Sequence, residues 1–260
     1  MGFKISFLVP YPIGESPSQR FRFEQYFDVL SQNNHQVTIH SFFGPGEWRL
    51  FYEPGNFLNK LRLLVAGFIN RSKLLFQIGN CDFVFIHREA APVGPPLVEW
   101  AVAKILHKKI IYDFDDAIWT TDRSGESLLV RIVKFRRKVS MICSWAHTVS
   151  CGNDFLCQYA GKFNTGVRLN PSTIDHHYHQ PGDRPETQTI AIGWTGSHST
   201  IKYLMPLVPV INRLLDEFKF LHFIAIADRL PQIGIRNLQF IEWRKETEIQ
   251  DLSRLDIGIM

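Results

Sequence analysis

The sequence predicts an α/β protein of two doubly wound parallel-sheet domains, the second incomplete. Three observations predict it. Apolar runs of strand length alternate with stretches of helical period from residue 3 to residue 169, the pattern of βαβ units with right-handed crossovers. Residues 170–188, NPSTIDHHYHQPGDRPETQ, are polar, aperiodic and rich in Pro, Asp and His, as a linker is. The alternation then restarts at residue 189 and stops inside the apolar run DIGIM at 256–260. Chain ends usually lie in solvated, irregular sequence. The expectation is therefore a Rossmann-like domain over 1–172, a hinge over 173–188, and the first half of a second such domain over 189–260.

The elements follow in order. FKISFLV at 3–9 reads as a strand, and PYPIG at 10–14 as a turn. Ser18 is a candidate N-cap for a helix whose Phe23, Phe27 and Leu30 share one face. Asn33-Asn34 ends it, because asparagine tolerates the left-handed conformation. Strands are expected at 37–43, 83–86, 110–113, 146–150 and 165–169. Helices are expected between them at 57–78, 96–107, 127–143 and 154–160. In the second domain strands are expected at 190–194, 220–226, 238–242 and 256–260, with helices at 201–215 and 246–255.

Composition narrows the function classes. The 260 residues are 45% hydrophobic and 21% charged, with net charge +4, ordinary for a globular chain with a mild preference for anionic partners. No basic strip interleaved with aromatics points to nucleic acid. No apolar run reaches the ~20 residues of a membrane span, and the N-terminus has no signal-peptide layout. MGFKIS matches a myristoylation pattern, but residues 3–9 serve better as a core strand. Cys81, Cys143, Cys151 and Cys157 form no C-x-x-C pair and read as buried, reduced thiols of a cytoplasmic protein.

In doubly wound domains ligands meet the loops after the strands, so the chemistry should lie there. The loop after the first strand carries Gly14, Ser16, Ser18, Arg20 and Arg22, suited to a phosphate or carboxylate. Arginines two apart do not share a helix face, so one of the two would serve. His87, with Arg88 and Glu89, follows the strand FVFI. Asp113-Phe114-Asp115-Asp116 follows KIIY; three carboxylates in four residues repel unless a cation or donors balance them. They could hold a divalent ion or serve a sugar centre, with Trp119 as a stacking ring. In the second domain IAIGWTGSHSTIKYL reads as strand, tight turn and helix, with Gly196, Ser197 and Lys202 as a phosphate cradle. It lacks both G-x-G-x-x-G and the P-loop pattern, against hydride transfer and nucleoside triphosphate hydrolysis. The run Asp175-His176-His177-Tyr178-His179 has no cysteine nearby and is expected to be hinge, not a zinc site. Residues 58–76 and 128–139 mix leucines with Lys60, Arg62, Arg71, Lys73, Arg131, Lys134, Arg136, Arg137 and Lys138. They read as core-facing helices with a basic side that could also meet anionic lipid.

Four segments resemble the GT-B glycosyltransferases of the group-1, family-4 type. They are FKISFLVPYP through HQVTIHSF, then TVSCGNDFLCQYA, TGVRLNPSTID, and IAIGWTGSHSTIKYL with ETEIQDLSRLDIGIM. Asn170, Pro171 and Asp175 match that family's hinge in kind, and Gly196 and Lys202 match its donor-domain spacing. Ser197 stands where the family usually has arginine, and Asp115 where it often has histidine. The family's E-x7-E segment would fall beyond Met260. Some relatives carry a similar D-F-D-D and W-T-G-S.

The resemblance implies a retaining transferase that moves a sugar from a nucleotide diphosphate sugar to a glycan or lipid-linked acceptor in cell-surface polysaccharide synthesis. It implies no cofactor beyond the donor substrate and no tightly bound metal; composition argues against a nucleic-acid partner, and the basic helix sides leave room for peripheral contact with the inner membrane face beside their default reading as core-facing helices. Asp115 and Asp116 would be catalytic. Arg20, Arg22, His87, Asp113, Gly196, Ser197 and Lys202 would bind substrate. A nucleotide-binding module without turnover, an inactive fragment and a GT-B-like nucleotide-sugar epimerase remain as alternatives.

Overall fold

The computed structural model of the chain describes residues 2–53, 55–120, 128–180, 188–198 and 200–259. The chain divides into two compact units, Met1–Ile174 and Asp175–Met260, the division falling within the stretch expected as hinge.

The first unit holds a six-stranded parallel sheet. Its strands are β1 Lys4–Val9, β2 Gln36–Ser41, β3 Phe83–His87, β4 Lys109–Phe114, β5 Thr148–Cys151 and β6 Val167–Leu169, in the order β2-β1-β3-β4-β5-β6. Successive side chains of a strand point to opposite faces, and both faces of this sheet are covered. On one, Phe7, Val9 and Phe85 pack against Phe23, just past the end of α1 Pro17–Arg22, and against Phe27 and Leu30 of α2 Phe27–Gln32. On the other, Leu8, Ile86, Ile110 and Tyr112 pack with Leu74, Val102 and Ile142. These come from α4 Phe57–Leu75, from the π turn that continues α5 Leu97–Trp100, and from α7 Lys138–Trp145. Burial on both faces is why the strands read as continuous apolar runs.

Several expected helices are broken. The first is interrupted at Phe23 (φ −147°) by a 3-10 turn, Glu24–Tyr26. Pro17 opens it after Ser16, so Ser18 lies inside the helix and is not its cap. Asn34 does end α2 in the left-handed region, at φ +62°. Residues 128–145 form α6 Leu128–Lys134 and α7, broken where Phe135 takes φ +43°. A short helix α3, Glu47–Tyr52, was not expected; its period is hidden among aromatics. Helix α8, Asp154–Ala160, matches its expected bounds, with Asn153 accepting the Leu156 N–H.

The second unit holds β7 Ile190–Gly196, β8 Leu221–Ala227, β9 Gln239–Glu242 and β10 Ile257–Ile259, all parallel in the order β10-β7-β8-β9. Ile192, Trp194, Phe223 and Ala225 face Leu204 and Ile211, which belong to α9 Ile201–Leu204 and α10 Val208–Glu217. The other face packs Ala191, Ile224 and Ile226 against Leu252 and Leu255, the former on α11 Glu248–Leu252. Prolines 206 and 209 split the helix expected at 201–215 into two pieces joined by a 3-10 turn.

Candidate functional site

In a doubly wound sheet the crevice opens where the strand order reverses. In the first unit that point lies between β1 and β3, and the sequence places a polar residue near the ends of β3, β4 and β5. His87, Asp113 and Ser150 stand side by side on β3, β4 and β5. Arg22 reaches them from α1. Its Nη2 pairs with Asp113 Oδ1, its Nε donates to Oδ2 at 3.2 Å, and its guanidinium also donates to Ser150 Oγ and the Asn170 carbonyl. Ser150 donates to Asp113 Oδ1 at 2.7 Å. His87 Nδ1 donates to Oδ2 at 2.9 Å, and His87 Nε2 faces the Ser18 hydroxyl at 3.3 Å. Burial pushes the Asp113 carboxyl up, but the His87 and Arg22 hydrogen bonds and charges outweigh it and hold the group below its ordinary value of 3.8.

Arg22, His87 and Asp113 are all buried, so this cluster is saturated from within. Arg22, expected as an anion ligand, directs four guanidinium contacts to β4, β5 and the segment after β6. Arg20 is also buried, with its guanidinium over the Phe21 ring at 5.2 Å. What faces outward is the loop after β1. Buried Gln19 clamps both the N–H and the carbonyl of Tyr11. Gly14, at φ +81°, makes the turn and donates its N–H to Glu24. Ser16 and Ser18 hydroxyls meet at 3.0 Å beside His87.

Asp115 and Asp116 lie just beyond Asp113 but make a separate group. Arg88 pairs with both: its Nη2 is 2.8 Å from Asp115 Oδ1 and also contacts Asp116 Oδ2. Here is the cation that the D-F-D-D repulsion requires, one strand away. Burial disfavours the charged Arg88, yet the two carboxylates raise its pKa above the ordinary value. Arg88 sits at φ +59°, a left-handed position uncommon outside glycine and asparagine. Its N–H donates to the Asp113 carbonyl and its own carbonyl accepts from Tyr112. Gly152 leaves room for Asp115, since a Cβ there would stand 3.2 Å from the Asp115 Cα. Asp116 is the exposed member, with 65% of its side chain open. Trp119 is not an open stacking ring: it lies parallel on Tyr159, with centroids 3.5 Å apart.

Three buried ions hold the loop after β3. Arg71 donates to the carbonyls of Val9, His40 and Ala90, each at 2.8 Å, and burial brings its pKa down to about 10. Glu99 accepts the Ala90 N–H at 2.9 Å. Lys138 donates to the Ala91 carbonyl and pairs with Glu89 at 2.6 Å. Arg71 and Lys138 therefore do not belong to the solvent-facing basic side expected of their helices. Their helical phase turns them inward, where carbonyls at strand ends need donors. Nothing in the sequence marks them as different from the exposed lysines and arginines beside them.

In the second unit the order reverses between β7 and β10, which puts the loop after β7 at the crevice. β7 runs through Gly196, two residues longer than expected. Gly196 must lack a side chain: a Cβ would come within 2.4 Å of the Trp194 ring and 2.8 Å of Thr200 Oγ1. The expected phosphate cradle is closed on itself. Ser197 donates its N–H to Thr200 Oγ1 at 2.9 Å, and His198 donates its N–H to Asp228 Oδ1 at 2.7 Å. His198 Nδ1 also meets Asp228 Oδ2 at 2.7 Å. Lys202 is exposed, its ammonium 4.8 Å from the Tyr203 ring centroid. The sequence did not single out His198 or Asp228; they lie 30 residues apart and meet only because β7 and β8 are neighbours.

The hinge histidines form a turn. Asp175 accepts the His177 N–H at 2.9 Å and its carbonyl accepts the His179 N–H. Among the described residues no group of three or more His, Cys, Asp or Glu side chains gathers as a metal site. A groove of about 380 Å3 between β2 and α4, lined by His40, Asn70, Arg71 and Lys73, contains none of the expected site residues.

No family model matches the chain, and no curated protein matches it by sequence. Solved structures do. The chain is similar to a glycosyltransferase from Rickettsia africae at 13% identity, over 99% of this chain and 72% of that one, with TM-score 0.60. It is similar to the catalytic domain of starch synthase IV from Arabidopsis thaliana, bound to ADP and acarbose, at 11% identity over 99% and 78%, with TM-score 0.59. It is also similar to UDP-GlcNAc 2-epimerase from Neisseria meningitidis, bound to UDP-GlcNAc, at 11% identity over 98% and 76%, with TM-score 0.58. These likenesses establish the fold: the chain has the GT-B glycosyltransferase-like fold, two Rossmann-like units with parallel sheets.

Proposed function

We propose that the protein is a retaining glycosyltransferase that moves a sugar from a nucleotide diphosphate sugar to a hydroxyl of a glycan or lipid-linked acceptor. The observation that carries this reading is the placement of polar side chains in a GT-B fold. In each unit they gather at the carboxyl edge of the sheet, at the reversal of strand order, where such folds take ligands. The likeness to a starch synthase holding ADP and an epimerase holding UDP-GlcNAc agrees with a nucleotide-sugar donor.

In this reading the second unit takes the diphosphate. The Lys202 ammonium and the Ser197 hydroxyl stabilise the negative charge that grows on the leaving group. The loop amides now held by Thr200 and Asp228 would have to exchange partners for phosphate oxygens. In the first unit Asp116, open to solvent and held by Arg88, and Asp115 beside it serve the sugar centre or the acceptor hydroxyl. Arg22, His87 and Asp113 position that edge without touching substrate. The Ser16–Ser18 hydroxyl pair offers the acceptor hydrogen bonds. No cofactor other than the donor substrate is required, and the working place is the cytoplasm.

The test is release of nucleoside diphosphate from UDP-, ADP- and GDP-sugars, with and without glycan or lipid-linked acceptors. Acceptor-dependent release that falls at least tenfold in Asp116→Asn supports the reading. Epimerised sugar formed without any acceptor would favour the epimerase alternative, which the fold likeness to 2-epimerases keeps open. Binding without turnover would leave a nucleotide-binding module.

A further inference from the structure

A parallel strand covered on both faces reads as a continuous apolar run. Strand β2 is apolar on one side only. Its Val37 and Ile39 join the core of Phe7 and Val9, whereas Gln36, Thr38 and His40 turn to the other side, in register with Lys4, Ser6 and Leu8 of β1. The helical layer closes over Ser6 and Leu8 but leaves Gln36 and Thr38 exposed. What remains beside β2 is a polar groove. Its stretch of about 380 Å3 along His40, Asn70 and Lys73 runs on into one of about 220 Å3 along Lys4, Gln36 and Thr38. His40, Leu74 and Gln77 border both stretches.

Two sets of donors meet there. β2 is an edge strand paired only with β1. Gln36 and Phe42 donate their N–H groups to the Phe3 and Val9 carbonyls, so the even-numbered residues bond to β1. The N–H groups of Ile39 and Ser41 then turn to the open edge. Both residues border the groove, Ile39 by its backbone, since its side chain lies in the opposite core. The second set comes from α4 and the turn after it. Asn70, Lys73 and Gln77 are exposed along the groove, at the spacings that share a helix side. Among the described residues none of these three side chains hydrogen-bonds to protein, nor does the His40 ring.

The charge is one-sided. No Asp or Glu borders either stretch, while Arg71 and Lys73 stand at one end and Lys4 at the other. Arg71 gives its N–H groups to three carbonyls but its charge is felt in the groove. Burial, and then that charge, hold the His40 imidazole below its ordinary 6.5. The nearest acid to Arg71, Glu99, lies behind it on the Ala90 N–H. An ammonium, an amide and two strand N–H groups make the donor set of a phosphate. Gln36, Thr38 and Asn80 continue it with groups that suit hydroxyls. A volume of about 380 Å3 falls within the roughly 300–1,000 Å3 of small-ligand sites. A peptide added to β2 would instead need pockets for alternate side chains.

We propose that the groove between β2 and the C-terminal half of α4 binds a small hydroxylated phosphate monoester, its phosphate held by the Lys73 ammonium, the Asn70 amide and the Ile39 and Ser41 N–H groups. The groove shares no residue with either reversal of strand order, and the proposal does not depend on the transferase reading.

Isothermal titration of the full chain tests this, with glucose 1-phosphate, glucose 6-phosphate and glycerol 3-phosphate, and with inorganic phosphate and glucose beside them. The expected result is saturable binding of at least one ester, weaker binding of inorganic phosphate and none of glucose. Lys73→Gln and Asn70→Leu, both at exposed positions, should each weaken the ester at least about fivefold, with the melting temperature of the free protein unchanged. Lys202→Ala, in the second unit, should leave its affinity as in wild type. The proposal is overturned if no ester binds, or if Lys73→Gln binds as wild type does. It is equally overturned if Lys202→Ala abolishes the binding, which would place the phosphate in the second unit. Inorganic phosphate binding as tightly as the esters would overturn the hydroxylated part of the ligand.

Discussion

The two carboxyl edges differ in how their polar groups are kept. At the first, Arg22, His87, Asp113 and Ser150 are buried and satisfy one another, and Arg71, Glu99 and Lys138 pin the next loop from below. At the second, His198, Asp228 and Lys202 are exposed, and the loop amides are held by single acceptors. Buried charges tolerate no missing partner, whereas exposed pairs exchange partners at little cost. The first edge is thus a fixed frame beneath Asp115, Asp116 and the serine pair. In the proposed reading the second, whose pairs are exposed, is the edge that closes on phosphate.

The comparison can be broken most directly at Asp113. Asp113→Asn should destabilise the first unit by about 3–5 kcal/mol in urea unfolding, because Arg22 is left buried without its counter-charge. Arg22→Met/Asp113→Leu should cost less than the two single changes together. The pH dependence has a definite sign. The Asp113 carboxyl is held below 3.8 in the fold, so its stabilisation is complete above about pH 5 and fades as pH falls through 3.8 and below. A urea midpoint series from pH 6 to pH 3 should therefore slope less steeply in Asp113→Asn than in wild type.

A smaller effect is expected at Arg88, where the backbone is left-handed. Arg88→Gly should be more stable than Arg88→Ala by about 1 kcal/mol, since only glycine takes φ +59° without a Cβ clash. Thermal unfolding of the pair checks it, and equal melting temperatures would refute the strain. The smallest effect belongs to the second edge. His198→Ala and Asp228→Asn should each change stability by no more than about 1 kcal/mol. A larger loss would mean that this edge, too, is part of the frame.

Much of this was legible from period and order. All ten strands lie within a few residues of their expected places, because strands buried on both faces leave continuous apolar runs. The broken helices were not, since the breaks at Phe23 and Phe135 come from residues with no special turn chemistry. For the site, the strand-end rule brought His87 and Asp113 to one place. It could not show that Arg22 is spent holding them, or that Arg88 is the partner of Asp115 and Asp116. Those pairings span 91, 27 and 28 residues, and only the lateral order of the strands brings them together. Arg71 and Lys138 were misread as surface cations because helical phase, not residue type, decides which lysine or arginine turns inward.

The central claim is that the loop after β7 grips a nucleoside diphosphate through Lys202 and Ser197. Isothermal titration of the chain with UDP, ADP and GDP tests it most directly. The account predicts saturable binding of at least one of them, weakened at least tenfold in Lys202→Ala through loss of a charge-assisted contact of about 1.5–3 kcal/mol, with the melting temperature unchanged. No binding of any of the three, or equal affinity in the Lys202→Ala protein, would contradict it.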